Sequence, residues 1–141
     1  MKDIRILLAD DNEFVRRAIC GVLQLDANFR IICEVADGVE AIAQSKELQP
    51  DVVLLDVSMP QMGGFEAARQ ILTVAPKTEI ILLTEYAVAE MARTALNQGI
   101  RGYVIKSNAA KDLADAVRAV IQQKQYVSAS LAVQGNTRGH S

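Results

Sequence analysis

The chain has 141 residues, of which 50% are hydrophobic, enough for one buried core but not for two domains of ordinary size. The formal net charge of −2 argues against an overall attraction for nucleic acid. No apolar run approaches the ~18 residues of a membrane span, and no signal-peptide pattern precedes the first strand. Both cysteines lie in apolar patterns, which is typical of free thiols in a reducing compartment. We therefore expect a cytoplasmic protein that does not contact the membrane.

The first predicted unit is a strand, an acidic loop and a helix. Residues 4–9 are apolar except for Arg5 and are predicted to form a strand, and two aspartates follow it. From residue 14 the apolar residues recur at helical spacing, which predicts a helix with Phe14, Ile19 and Leu23 on its inner face and Arg16 on its solvated face. A second strand at 31–36 and a second helix at 39–48, with Val39 inward, follow before Pro50 ends the unit.

The third predicted strand, residues 52–55, is an unbroken apolar run that begins with two β-branched valines. This pattern is typical of a strand that is buried on both faces of a parallel sheet. Such a strand has no place for a charge, so Asp56 is predicted at its carboxyl end, where open α/β sheets bind their ligands. A carboxylate at that point is a candidate nucleophile or metal ligand. A turn containing Pro60, Gly63 and Gly64 then leads into a third helix.

The alternation continues with a strand that ends at Thr84, a helix that ends at Gly99, a strand that ends at Lys106 and a final amphipathic helix. Five short alternations of strand and helix predict an α/β fold, a three-layer sandwich with a parallel sheet and helices on both faces. We assign residues 1–124 to this domain. Residues 125–141 are small and polar, which predicts a tail or the start of a linker.

Polar residues end the first, third, fourth and fifth strands, namely Asp10, Asp11, Asp56, Thr84 and Lys106. In a sheet of order 2-1-3-4-5 the ends of strands one and three share a crevice, so these side chains should meet. Three carboxylates repel one another unless a cation lies among them, and Mg²⁺ prefers oxygen ligands. The threonine hydroxyl and the lysine ammonium suit phosphoryl oxygens. This combination predicts phosphoryl transfer with an aspartyl nucleophile.

Four stretches of the sequence carry a family resemblance. They are the pair Asp10-Asp11, the segment 54–64 around Asp56, the strand end 82–84 and the strand 102–106. Together they resemble the receiver domain of two-component response regulators, over residues 3 to 124. The segments 10–16, 105–107 and 126–128 are most similar to the NarL/FixJ type of transcriptional regulator.

The resemblance implies a flavodoxin-like, CheY-like fold with five parallel strands in the order 2-1-3-4-5. It implies that Asp56 accepts a phosphoryl group from a sensor histidine kinase. Asp10 and Asp11 would hold Mg²⁺ together with Asp56 and the backbone carbonyl of Ser58. The domain would not be an enzyme but a phosphoacceptor signalling domain that assists its own phosphotransfer and dephosphorylation.

The resemblance also implies how phosphorylation of Asp56 would change the conformation of the domain. Thr84 and Lys106 would engage the phosphoryl oxygens, and Tyr103 would turn inward as Thr84 moves. The face formed by the fourth helix, fifth strand and fifth helix would then change. This change would control a phosphorylation-dependent homodimer or an output domain. Contact with DNA would occur only through a helix-turn-helix output domain that is absent from these 141 residues.

Each residue also has an ordinary interpretation. Asp10 and Asp11 could cap the first helix, Thr84 could be a plain strand end, and Lys106 could be a solvated surface lysine. Tyr103 could be a half-buried strand aromatic.

Three other functions share parts of the pattern. A Mg²⁺-dependent aspartyl phosphatase usually carries a second acid two positions after the nucleophile, where this chain has Ser58. A flavodoxin-like or dinucleotide binder needs a phosphate-binding glycine loop where Asp10 and Asp11 lie. A stand-alone receiver could act through protein contacts without phosphorylation. The sequence departs from the common receiver pattern at Gly63, where an acidic residue is usual, and at Glu85, where a small residue is usual.

Overall fold

The structure is a computed structural model that describes residues 3–86 and 88–128. Within this part, six parallel strands form one sheet in the order β2-β1-β3-β4-β5-β6. The strands are β1 (Ile4–Ala9), β2 (Phe29–Val35), β3 (Val52–Asp56), β4 (Glu79–Thr84), β5 (Gly102–Ile105) and β6 (Tyr126–Val127). The helices are α1 (Glu13–Leu23), α2 (Gly38–Leu48), α3 (Gly64–Val74), α4 (Ala89–Asn97) and α5 (Ala109–Ile121). A 3-10 turn, Lys106–Asn108, joins β5 to α5.

The predicted α/β fold and the strand order 2-1-3-4-5 are confirmed, and the structure adds a sixth strand. β6 pairs in parallel with β5, with Gly102 beside Tyr126 and Tyr103 beside Val127. The sequence pattern predicted only five strands and left these residues in the polar tail. A strand of two residues is too short to show a period, so its position depends on the edge of β5 that it meets.

β3 lies in the middle of the sheet and is buried on both faces. Val53 and Leu55 belong to a core with residues of α2, α3 and α4, while Val52 and Leu54 belong to a core with residues of α1 and α5. All four are fully buried. The predicted double burial of this strand is therefore confirmed, and Asp56 at its end is carried to the carboxyl edge of the sheet.

Two hydrophobic side chains that were predicted to face the core are exposed. Phe14 is 81% exposed and Val39 is 50% exposed. Each lies in the first turn of a helix that follows the carboxyl end of a strand, where the helix has only begun to cover the sheet. The buried residues of α1, Ile19 and Leu23, lie further along the helix.

Cys20 and Cys33 are free thiols and partly buried. Among residues 3–86 and 88–128, no helix has both the length and the apolar character needed to cross a membrane.

Gly64, the first residue of α3, lies against the backbone that leaves β3. A Cβ atom at this position would lie 2.4 Å from the carbonyl oxygen of Asp56 and 2.8 Å from the Cα of Val57. Because both are backbone atoms, neither can rotate away. We expect Gly64→Ala to lower the free energy of unfolding by about 1–3 kcal/mol, as measured by urea denaturation.

Gly63→Ala is the matched control for this substitution. Its added Cβ would have the carbonyl oxygen of Val57 at 3.5 Å, an ordinary contact, as its nearest neighbour in the described part of the chain. Gly63 is also the N-cap of α3, where alanine is less favourable than glycine, so this variant should lose up to about 1 kcal/mol through the cap alone. Equal losses of stability in the two variants would contradict the steric explanation.

Candidate functional site

The polar residues that end the strands meet at one cavity at the carboxyl edge of the sheet. The cavity has a volume of about 250 Å³. The residues predicted from the sequence that line it are Asp11, Asp56, Ser58, Thr84 and Lys106. The remaining lining residues are Asn12, Val15, Val57, Glu85 and Tyr86. The structure therefore brings the separate strand ends into one small volume, with an acidic and an aromatic side chain at the rim.

Three carboxylates lie together at this edge. One oxygen atom from each of Asp10, Asp11 and Asp56 lies within 4.8 Å of the others. Asp10 and Asp56 are buried, whereas Asp11 is exposed. An all-oxygen donor set of three carboxylates with an open side fits Mg²⁺.

Lys106 extends its ammonium group between two of these carboxylates. Its Nζ atom lies 2.8 Å from Asp10 Oδ2, as an ion pair, and 3.1 Å from Asp56 Oδ1. Its side chain is only 14% exposed, so it is not a solvated surface lysine. Burial by itself lowers the pKa of Lys106, but the two carboxylates outweigh this effect and raise it. The ammonium group therefore stays charged at neutral pH.

The surroundings of the Asp56 carboxyl group shift its pKa, and the net shift is upward. Burial raises its pKa to about 6, and the negative charge of Asp10 adds to the rise. The backbone N–H of Ser58, which donates to Asp56 Oδ1 at 3.1 Å, and the ammonium of Lys106 act in the opposite direction. At pH 7 the group is largely ionised, which a nucleophile requires.

The acidic loop after β1 does not serve as the cap of α1. Asn12 is the N-cap, and its side-chain oxygen accepts a hydrogen bond of 3.1 Å from the backbone N–H of Val15. The backbone N–H of Asn12 in turn donates to Asp10 Oδ1 at 2.9 Å. The two aspartates are therefore free of the capping role that their position in the sequence allows.

Arg16 holds the same loop from the next turn of the helix, a role that the sequence did not indicate. Its guanidinium group donates a hydrogen bond to the carbonyl oxygen of Asp10 and lies 3.6 Å from Glu34. The Arg16 side chain is 19% exposed. Helical spacing placed Arg16 on a solvated face, because the pattern of α1 does not show what the first turn meets beyond the helix.

Thr84 and Tyr103 lie side by side on neighbouring strands. Thr84 is buried at the end of β4, and its Oγ1 accepts a hydrogen bond of 3.2 Å from the backbone N–H of Tyr86. Tyr103 is fully buried, so its ring already points inward in this structure. Its hydroxyl lacks a hydrogen-bond partner within the described part of the chain. Burial raises the pKa of this hydroxyl, and the nearby Thr84 partly offsets the rise.

Comparison with known proteins extends these findings. The family model for the response regulator receiver domain matches residues 6–118. The response regulator protein VraR of Staphylococcus aureus is 39% identical over 115 residues, which cover 82% of this chain and 55% of VraR. The chain thus spans about half the length of the curated relatives that it matches.

Solved structures share the fold over nearly the whole chain. A two-component response regulator of the LuxR family from Aurantimonas has a TM-score of 0.93 at 28% identity. The match covers 99% of this chain and 100% of the Aurantimonas chain. A structure of RcsB from Salmonella typhimurium has a TM-score of 0.86 at 26% identity. That structure concerns the conformational dynamism of RcsB for DNA interaction. That match covers 94% of this chain and 66% of RcsB. Another RcsB structure contains two dimers bound to two parallel DNAs.

Proposed function

Since the chain belongs to the response regulator receiver domain family, we propose that it is a phosphorylation-dependent switch in which Asp56 accepts a phosphoryl group. The observation that carries the proposal is the environment of this carboxylate. Asp56 lines the cavity, receives the Ser58 N–H, and lies 3.1 Å from the Lys106 ammonium. Two further carboxylates lie beside it. This arrangement suits phosphoryl transfer better than any other chemistry that the described residues offer.

The donor in this proposal is the phosphohistidine of a sensor histidine kinase. An oxygen of Asp56 attacks phosphorus, the bond between phosphorus and the imidazole nitrogen breaks, and the leaving imidazole takes up a proton. Lys106 contacts the carboxylate beforehand and supplies positive charge for the oxygens of the transferred group. The pKa of about 6 keeps most of Asp56 ionised and ready to attack at neutral pH.

Asp10, Asp11, Asp56 and the backbone carbonyl of Ser58 would hold Mg²⁺ in this site. When bound, the ion would supply positive charge against the crowded carboxylates and the phosphoryl oxygens. The crowding of three carboxylates around one ammonium group supports this assignment, because one cation balances only part of their negative charge.

The proposed switch uses Thr84 and Tyr103. The Thr84 hydroxyl, which now accepts from the N–H of Tyr86, would turn to donate to a phosphoryl oxygen. Tyr103 fills the space beside it and would hold the altered face of α4, β5 and α5. The phosphoryl group can shift this equilibrium only as far as its contacts differ between the two states.

The phosphatase alternative lacks a necessary group. Ser58 occupies the position of the second acid and offers a backbone N–H and a hydroxyl, but no carboxyl group to protonate a leaving alcohol.

We include in the proposal that the domain assists its own phosphotransfer and dephosphorylation. The negative charge of the exposed Glu85 at the rim would slow the approach of anionic donors.

We also propose the wider setting of the switch. Residues 1–124 would form the receiver, and residues 125–141 would lead to an output domain that binds DNA. The greater length of VraR and the DNA interaction described for RcsB support this part. The dimers described for RcsB support a phosphorylation-dependent homodimer, with the kinase and the regulator meeting in the cytoplasm.

The test is the formation of one covalent adduct. We expect the protein, incubated with Mg²⁺ and acetyl phosphate, to gain the mass of one phosphoryl group, which mild base removes. Asp56→Asn should show no adduct, because an amide oxygen is too weak a nucleophile. Asp115→Asn, on the exposed surface of α5, should be modified like the wild type. Intact mass spectrometry reads all three.

Two outcomes would contradict the proposal. An adduct that persists in Asp56→Asn would exclude this residue as the acceptor. Repeated turnover of acetyl phosphate without any accumulated adduct would favour the phosphatase alternative.

A further inference from the structure

Residues 126–128 dock on the edge of β5, beside the stretch that carries Tyr103 and ends at Lys106. The backbone N–H of Tyr126 donates to the carbonyl of Arg101 at 2.8 Å, and the backbone N–H of Ser128 donates to the carbonyl of Tyr103 at 3.0 Å. In a parallel ladder, alternate residues present their backbone groups to the same neighbour. The next backbone N–H on this edge of β5 therefore belongs to Ile105.

The Ile105 N–H is satisfied by a side chain. It donates a hydrogen bond of 2.9 Å to the Oγ atom of Ser128. Ser128 is fully buried and Ile105 is 5% exposed, so this contact is shielded from solvent. A serine hydroxyl thus completes the ladder where the main chain of β6 stops pairing. Without it, a buried N–H at the end of β5 would lose its partner.

This hydrogen bond lies one residue from a group that acts at the cavity. Ile105 is the residue before Lys106, and the 3-10 turn begins at Lys106. The ammonium of Lys106 reaches back to Asp10 and Asp56. The Ile105 N–H belongs to the peptide between Val104 and Ile105, which fixes the backbone of Ile105 directly before the residue that carries the lysine side chain. Whatever anchors that peptide therefore influences where the ammonium lies.

We propose that Ser128 is a positioning residue for Lys106 and that, through the Ile105 N–H, it tunes the rate of phosphoryl transfer to Asp56. The inference rests on the proposed function, because it needs Lys106 to act on the transferred group. It extends the functional unit ten residues beyond the end of the family match at residue 118. Where the docking of β6 favours the phosphorylated state at equilibrium, phosphorylation favours the docking of β6 by the same free energy.

A second hydrogen bond of residues 126–128 makes it possible to distinguish the positioning of Lys106 by Ser128 from the general docking of β6 on the domain. The hydroxyl of Tyr126 donates a hydrogen bond of 3.0 Å to Asp112 on α5, away from the Ile105 N–H. Tyr126→Phe therefore removes one hydrogen bond of β6 and leaves the contact between Ser128 and Ile105 intact. It is the matched control for Ser128→Ala, which removes one hydrogen bond of the same segment at the other end.

The experiment measures the rate of adduct formation with acetyl phosphate and saturating Mg²⁺, using the 141-residue chain well below its unfolding temperature. We expect Ser128→Ala to be about tenfold slower than the wild type, since a small misplacement of a catalytic group has an effect of this size or greater. Ser128→Thr, which keeps the hydroxyl, and Tyr126→Phe should react within about twofold of the wild type. The Kd for Mg²⁺, measured by calorimetry, should be unchanged in Ser128→Ala, because the three carboxylates are untouched.

A wild-type readout keeps the inference testable if Ser128→Ala does not fold. Beryllofluoride with Mg²⁺ mimics the phosphoryl group and should slow hydrogen exchange at the Ile105 amide, measured by NMR, because it engages Lys106. An Ile105 exchange rate that does not change would overturn the inference.

Other results would also overturn it. They are a wild-type rate in folded Ser128→Ala, equal slowing in Ser128→Ala and Ser128→Thr, and equal slowing in Ser128→Ala and Tyr126→Phe. Failure of the wild type itself to form an adduct would instead contradict the proposed function.

Discussion

Lys106→Ala is expected to slow phosphorylation of Asp56 by about a hundredfold or more and to lower the free energy of unfolding by about 3 kcal/mol without Mg²⁺. Both effects follow from the position of one ammonium group, 2.8 Å from Asp10 and 3.1 Å from Asp56. Without it, two buried carboxylates face each other with no counter-charge among the described side chains, and the pKa of Asp56 rises further. The transferred phosphoryl group also loses a cation.

Time courses of adduct formation measure the first effect, and urea denaturation measures the second. Mg²⁺ should stabilise Lys106→Ala more than the wild type, because the ion restores positive charge that the variant lacks. Lys111→Ala, which removes an exposed lysine of α5, is the control and should change neither quantity by much. A Lys106→Ala protein as stable and as reactive as the wild type would show that the two ion pairs contribute neither to stability nor to the rate of phosphorylation.

Acidification is expected to stabilise the Mg²⁺-free protein through Asp56. The pKa of this group is about 6 in the folded protein, against 3.8 for the ordinary carboxyl group. The folded state therefore binds the proton more tightly, and stability rises as the pH falls from about 6 towards 4. Above pH 6 the ionised group costs the fold up to about 3 kcal/mol, since each pKa unit corresponds to about 1.4 kcal/mol.

Asp56→Asn isolates this contribution from the other acidic groups. The variant mimics the protonated form, so it should be more stable than the wild type by up to about 3 kcal/mol at pH 7. The difference should shrink through pH 5 and vanish only below the ordinary pKa of 3.8. Urea denaturation of both proteins across this range provides the measurement, with Asp115→Asn as a surface control. A difference that is independent of pH would mean that the folded environment does not raise the pKa of Asp56.

The local sequence was sufficient for most of the fold. β3 could be recognised because a central parallel strand is buried on both faces and therefore shows as an unbroken apolar run. Asp56 could be located because a charge is excluded from such a strand and tolerated at its carboxyl end. The receiver resemblance read from the four motifs is confirmed by the family match over residues 6–118. Strand order followed from that resemblance, because apolar runs do not reveal which strands are neighbours.

The errors and omissions share a physical cause. Phe14 fits the helical stripe of α1, and periodicity therefore assigned it to the core, but it stands in a first turn where its side chain is 81% exposed. Arg16 was assigned to solvent, although its guanidinium group reaches the carbonyl of Asp10. Both depend on what lies beyond the helix, which spacing within one helix does not describe.

The amino-acid sequence by itself determined the first five strands and the five helices, the double burial of β3 and the polar residue types at the strand ends, because each of these depends on neighbours along the chain. Only the tertiary structure decided that Lys106 lies between Asp10 and Asp56, that the pKa of Asp56 rises, and that Ser128 receives the Ile105 N–H. These features depend on distances between segments far apart in the sequence, and such distances are set by the packing of the sheet.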